Sequence, residues 1–278
     1  MGRWRTFGGG ARRFSSISPK LRGPRQIPRV KKLERERDNL RAATRWLLGR
    51  GESEEAAGIG WALRLFWWMR GHFTEGRRWM EEALAEGPAI PAPLRAKALF
   101  VAGVMAEGQA DHPSAETLLE ESLALFRELE DKRGTSLALG SLGRSAVGQG
   151  RHERGVATLQ EAVVLNREIG EKWVLSAMYS FLAGAWFGQG DLARAKRLAE
   201  RGLALAREVG DDAQALCIAL YTLAMTARAS SDHERARRLL AEGLEASVAI
   251  ADESHILYSL QGLASVAASR GSPSRAAR

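Results

Sequence analysis

The chain has 278 residues, 45% of them hydrophobic and 27% charged, with a net charge of +8. This is the balance of a soluble protein, and no run reaches the roughly 18 uninterrupted apolar residues of a membrane helix. One cysteine, Cys217, excludes an internal disulfide and fits a reducing, cytoplasmic setting.

The charge is unevenly spread. Residues 1–32 hold ten Lys or Arg and no acid. Taking those ten from the chain's 41 leaves 31 basic against 33 acidic residues in 33–278. The leader, MGRWRTFGGGARRFSSISPKLRGPRQIPRVKK, has a Gly run, three prolines and no helical or strand period. It buries too little apolar surface to offset its ordering entropy, so disorder is expected over 1–32. A basic arm of this kind is also the one place where nucleic acid could bind.

Residues 33–87 open the folded body. LERERDNLRAATRWLLGR predicts a helix from Leu33 to about Leu48, with Leu40, Ala43, Trp46 and Leu47 on one face. WALRLFWWMRGHFTEGRRW then holds four of the chain's eight tryptophans. Trp61, Leu65 and Trp68 fall four and three apart and share a helix face. Trp67 points to another side, and Trp79 lies across the turn beside Ala83. Trp61, Trp67, Trp68 and Trp79 are expected to serve as the core or the docking surface of a bulky terminal unit. Stacking on nucleic-acid bases is disfavoured, since the body has no excess of positive charge.

From there the sequence repeats. Turn positions fall at Gly71, Ala110, Gly150, Gly190, Ser231 and Gly271, at spacings of 39, 40, 40, 41 and 40 residues. Five residues after each turn stand Gly76, Ala115, Gly155, Ala195, Ala236 and Ala276. Twelve after stand Ala83, Ser122, Ala162, Gly202 and Gly243, and seven before stand Gly103, Gly143, Ala183, Ala224 and Ala264. Small residues seven apart lie on one helix face and let a neighbouring helix approach. Each unit is therefore helix, short turn, helix. The expected units after the prolines at 88, 91 and 93 are 92–134, 135–174, 175–214, 215–255 and 256–278. The last would stop soon after its turn, leaving apolar surface uncovered.

The pattern resembles the tetratricopeptide repeat, most closely at Tyr179, Leu182, Ala183, Trp186, Ala195 and Gly202. It departs in period, about 40 residues, and in lacking the proline that closes that family's second helix. The longer unit, the opening DNLRAATRWLL segment and the RGH turn resemble the MalT-like repeat region of LuxR-type bacterial transcriptional regulators with an ATPase module. The resemblance implies an all-α, right-handed superhelical array (an α-solenoid) of five to six helical hairpins. It implies a non-enzymatic sensor or interaction scaffold whose partner is a protein, a peptide, an ATPase module or a small effector. A free-standing adaptor with a peptide or protein client remains open beside it. In tetratricopeptide repeats the first helices line the groove. The matching outward positions are Lys97, Phe100, Arg144, Phe187, Tyr221, Met225, Arg228 and Tyr258.

No catalytic, cofactor or metal site is expected. No phosphate-binding GxxxxGK[ST] occurs, and VGQG and FGQG are repeat turns. His72, His112, His152 and His233 follow the turns at 71, 110, 150 and 231, about one helix pair or more apart, too far to share one zinc. Cys217 lies in the apolar helix ALCIALYTLA and reads as core.

Overall fold

The computed structural model describes residues 26–85, 90–210 and 213–269. Every regular element among them is helical. In chain order these are α1 (Gln26–Arg35), α2 (Arg37–Leu48), α3 (Ser53–Met69), α4 (Phe73–Ala85), α5 (Ala92–Gly108), α6 (His112–Glu128), α7 (Lys132–Gly148), α8 (His152–Ile169), α9 (Lys172–Gly188), α10 (Leu192–Val209), α11 (Ala213–Ala229), α12 (His233–Ala249) and α13 (Glu253–Ser269). From α3 to α12 they form five hairpins of a helical-repeat solenoid. The chain divides into two compact units, Met1–Ala138 and Leu139–Arg278, the boundary falling inside α7.

The turns explain the period. Within each hairpin one residue adopts a left-handed backbone: Gly71 (φ 64°), Ala110 (60°), Gly150 (75°), Gly190 (83°) and Ser231 (61°). These are the five described turn positions. The next residue's N–H bonds the carbonyl five residues back, as Asp111 does to Ala106 at 3.0 Å and Asp232 to Ala227 at 2.9 Å. This closes the first helix in a Schellman-type turn. An aspartate there also starts the second helix: Asp111, Asp191 and Asp232 accept from the N–H three residues on. Positive φ recurs at Gly51, Glu130, Gly170, Gly210 and Ala251, which follow α2, α6, α8, α10 and α12.

The small residues sit where helices meet. In the first unit a Cβ on Gly76 would stand 2.6 Å from the Trp67 ring, and one on Gly103 would stand 2.7 Å from Leu119 Cγ. In the second unit a Cβ on Gly155 would stand 2.6 Å from Val147 Cγ2 and 3.1 Å from the Gly143 carbonyl oxygen. The second unit's core runs through Ala183, Leu203, Ala219, Leu220, Leu223, Ala224 and Leu240.

Two expectations are corrected near the start. Residues 26–32, expected to be disordered with the rest of the leader, form most of α1. Val30 and Leu33, three apart, are buried (2% and 7% exposed), which anchors the helix. Pro28 stands in its first turn, where no intrahelical N–H is required. The single helix expected from Leu33 to Leu48 is interrupted at Glu36, which separates α1 from α2. Residues 1–25 lie outside the described residues, as do Gly271, Ala276 and the expected second helix of the last unit.

Candidate functional site

The tryptophan stretch of the first unit splits into two pairs. Trp67 (1% exposed) and Trp79 (4%) are buried, ring centroids 5.3 Å apart and edge to face. They are core, and the docking role considered for them is corrected: α3 and α4 close over both rings. Trp61 and Trp68 stay partly open. Trp68 meets Phe73 edge-on at 5.4 Å. Trp61 carries Arg64 Cζ 4.1 Å above its ring and Lys97 Nζ at 5.7 Å. Arg64, seven residues before Gly71 where the other units have Gly or Ala, thus folds over Trp61 and donates to its carbonyl oxygen at 2.7 Å.

Of the expected groove residues, Lys97 and Phe100 lie on α5 in the first unit. Phe100 is buried (5% exposed) and meets Trp61 edge-on at 5.7 Å. It therefore lines no open surface, because Trp61 covers it. The other six lie in the second unit: Arg144 on α7, Phe187 on α9, Tyr221, Met225 and Arg228 on α11, and Tyr258 on α13. Phe187, Met225 and Arg228 are half-buried, and Tyr258 is 39% exposed.

These side chains link successive first helices by a fixed offset. Arg144 Cζ lies 4.8 Å over the ring of Phe181, Tyr221 lies 5.6 Å from Tyr258, and Arg228 hydrogen-bonds Ser265. Each partner is 37 residues further along. Burial, with Tyr258 beside it, pushes the Tyr221 phenol up, and Arg228 opposes the rise. Tyr258 also meets His255 edge-on at 5.8 Å. His255 Nδ1 is 2.8 Å from Asp252, whose other oxygen accepts the His255 N–H. The row is a strip of rings and guanidiniums held in place by neighbouring repeats.

Of the turn histidines, His72 lies with its Nε2 3.2 Å from Arg37 Nη1. His152 lies against Gly188, two residues before the next turn, as Phe73 lies against Gly108. The ring takes the room that a side chain there would need. No three His, Cys, Asp or Glu side chains converge as a metal site among the described residues. No helix among them is long and apolar enough to cross a membrane.

Residues 175–209, spanning most of α9 and α10, match the tetratricopeptide repeat family. Over 124 residues the chain is 31% identical to putative HTH-type transcriptional regulators of Mycobacterium tuberculosis (strain ATCC 25618 / H37Rv) and Mycobacterium bovis (strain ATCC BAA-935 / AF2122/97). The match takes in 42% of this chain and 14% of each regulator, so the chain spans a small part of these relatives' length. Among solved structures it is similar to a Rap protein complexed with the competence and sporulation factor (TM-score 0.65, 13% identity, 79% of this chain and 64% of that one). It is similar to the APC/C hetero-tetramer Cut9–Hcn1 (TM-score 0.63, 15% identity, 98% and 52%). It is also similar to NprR in complex with its cognate peptide NprX (TM-score 0.61, 11% identity, 81% and 64%). At these identities the likeness is one of fold, that of tetratricopeptide-type helical repeats.

Proposed function

We propose that the chain is a non-enzymatic, cytoplasmic interaction scaffold that receives a peptide or protein on the first-helix row of its second unit. We place it with the MalT-like sensor region of LuxR-type transcriptional regulators. The observation that carries the binding role is the row itself: Arg144, Phe187, Tyr221, Met225, Arg228 and Tyr258 lie on the first helices of successive repeats and are only partly buried. Rings and guanidiniums held by their neighbours lose little entropy on contact, which favours recognition of an extended or helical segment. The complex of NprR with its cognate peptide NprX supports a peptide ligand. The 31% identity to HTH-type regulators supports the regulatory setting.

Two experiments test the reading. A photo-crosslinking amino acid is placed at Tyr258, and at Val164 as an exposed control, in the cells of origin. The reading expects one partner captured from position 258 and not from 164, and lost when Met225→Glu is added. Equal capture from both positions would refute the row as the site. The regulatory setting is tested by sequencing the DNA on both sides of the gene. A phosphate-loop ATPase upstream and a helix-turn-helix downstream support it. Unrelated, well-separated genes turn the reading to a free-standing adaptor.

A further inference from the structure

The surface made by α8, α9 and α10 has a feature that the repeat does not require. Four residues before the turn, three units have Ala106, Ala146 and Ala227 and the first has Trp67, all buried. The α9 unit has Trp186, which is half-buried. Trp67 is seated against the bare backbone of Gly76, whereas the α9 unit has Ala195 at that position and the Trp186 ring stays partly open. With Leu182 and Leu198 it floors a hollow of about 550 Å³ whose remaining lining is Gln160 of α8 and Arg194, Arg197 and Arg201 of α10. No carboxylate lines it.

The arginines follow each other by three and four residues, on one face of α10, about 4.5 and 6 Å apart along its axis. Arg194 lies with its Cζ 4.3 Å over the Trp186 ring and its Nε 3.2 Å from Asp191. Arg201 lies 5.0 Å over Tyr179, a buried ring whose hydroxyl accepts two hydrogen bonds from Arg167 at 3.0 and 2.8 Å. Stacking orients two of the three guanidiniums while leaving hydrogen-bond donors open. Neither Arg197 nor Arg201 has a carboxylate partner among the described residues. Glu200, the acid beside Arg201, is engaged by Arg235 at 2.9 Å.

We propose that this hollow is a docking site for an acidic peptide segment, separate from the first-helix row. The guanidinium forks match carboxylates, which they bind in pairs of charge-assisted hydrogen bonds. Leu182 and Leu198 offer a seat for one aliphatic side chain between them. A nucleic-acid strand fits less well, because Arg194 already covers a face of Trp186 on which a base would stack. A segment with glutamates spaced around a leucine answers both the charge and the floor.

The test uses the full chain and fluorescence anisotropy with a fluorescein-labelled peptide of repeated Glu-Leu-Glu units. Repeated Lys-Leu-Lys units and a labelled oligothymidine serve as comparison probes. The wild-type chain is expected to bind the acidic peptide, to ignore the basic one and to lose affinity as salt rises. Arg197→Glu is expected to weaken binding about tenfold. This exposed side chain holds no hydrogen bond among the described residues, and an unchanged thermal melt verifies that the variant is folded. Tyr258→Ala, on the first-helix row, is expected to leave the affinity unchanged. Full affinity in Arg197→Glu, or no binding by the wild type, overturns the proposal. Tighter binding of oligothymidine, lost in Arg197→Glu, assigns the hollow to phosphates and overturns it as well. Loss of the peptide in Tyr258→Ala alone moves the site to the row, which sinks this inference and spares the proposed function.

Discussion

The Ser176 hydroxyl donates to the carbonyl oxygen of Gly202 at 2.8 Å, across the contact between α9 and α10. One repeat on, Cys217 takes the place of Ser176, and its Sγ lies 3.9 Å from the carbonyl oxygen of Gly243. The two glycines hold the same repeat position in different surroundings. A Cβ on Gly202 would stand 2.8 Å from Ser180 Oγ and 3.1 Å from the Ser176 carbonyl oxygen. A Cβ on Gly243 would meet nothing nearer than Ser259 Oγ at 3.5 Å. Gly202→Ala should therefore destabilise the chain by about 1–3 kcal/mol through overpacking, against backbone that cannot swing away. Gly243→Ala should stabilise it by about 1 kcal/mol through helix propensity. Urea unfolding of both variants checks this, and shifts of the same sign would defeat the packing argument.

Ala110 and Ser231 occupy the left-handed turn position with a Cβ, at φ 60° and 61°. Such a conformation costs an L-residue about 1–2 kcal/mol. Glycine removes that strain and gives back roughly 0.4–1 kcal/mol through the entropy of the unfolded chain. Ala110→Gly and Ser231→Gly should each stabilise by up to about 1 kcal/mol. Gly150→Ala, at φ 75° in the same role, should destabilise. Thermal melts of the three variants measure it, and a loss of stability in both glycine variants would contradict the turn assignment.

Much of this was legible in the sequence, and the reason is local. The turn register could be read even where Ala110 and Ser231 replace glycine, because the small residues on either side keep their distances. The helical hairpins followed from the same marks. The pairing along the first-helix row was not legible. Partners lie 37 apart, a repeat of about 40 less nearly one helical turn, and that shift depends on how adjacent helices slide past each other. Phe100, Trp67 and Trp79 show a second limit, since periodicity assigns a face but not the side chain that covers it. Helix α1 is not legible in the sequence because Val30 and Leu33 are two apolar residues in a basic background. Trp186 stood in the sequence as a repeat residue. Its significance comes from the arginines that α10 brings to it.

Stability should fall as the pH drops, through a charged cluster that ties α1 and α2 to α3 and α4. Glu34 accepts from Arg37 and Arg70, both at 3.1 Å. Burial raises its pKa, but those two hydrogen bonds, with His72 and the charge of Arg70, bring it below the ordinary value. His72 also lies below its ordinary value, first because it is buried and then because of Arg37; Glu34 and Glu75 oppose the shift. Arg37 Nη1 stands 3.2 Å from His72 Nε2, which suits a neutral ring accepting that hydrogen bond. Both groups take up a proton less readily when folded than when unfolded. Their stabilisation is complete above the unfolded values and is lost on acidification, His72 acting below about pH 6.5 and Glu34 below about 4.5. The urea midpoint should drop between about pH 7.5 and 5.5, and His72→Gln, which keeps an acceptor for Arg37, should flatten that drop. An equal slope in the variant would remove His72 from the account.

Trp67 and Trp68 are adjacent in sequence and should differ sharply in weight. Trp67 is 1% exposed, crosses Trp79 edge to face, and fits against the bare backbone of Gly76. Trp67→Ala leaves a cavity that α3 and α4 cannot close without moving both, a loss of about 3–5 kcal/mol. Trp68 is partly open and meets Phe73 edge-on. Trp68→Ala forfeits that ring contact and part of its buried area, roughly 1–2 kcal/mol. Urea unfolding followed by tryptophan fluorescence and by circular dichroism separates the two. The core assignment of Trp67 expects a large shift there and a small one at Trp68. Equal shifts would mean that the first hairpin presents Trp67 to its surroundings, and the docking role set aside for that ring would return.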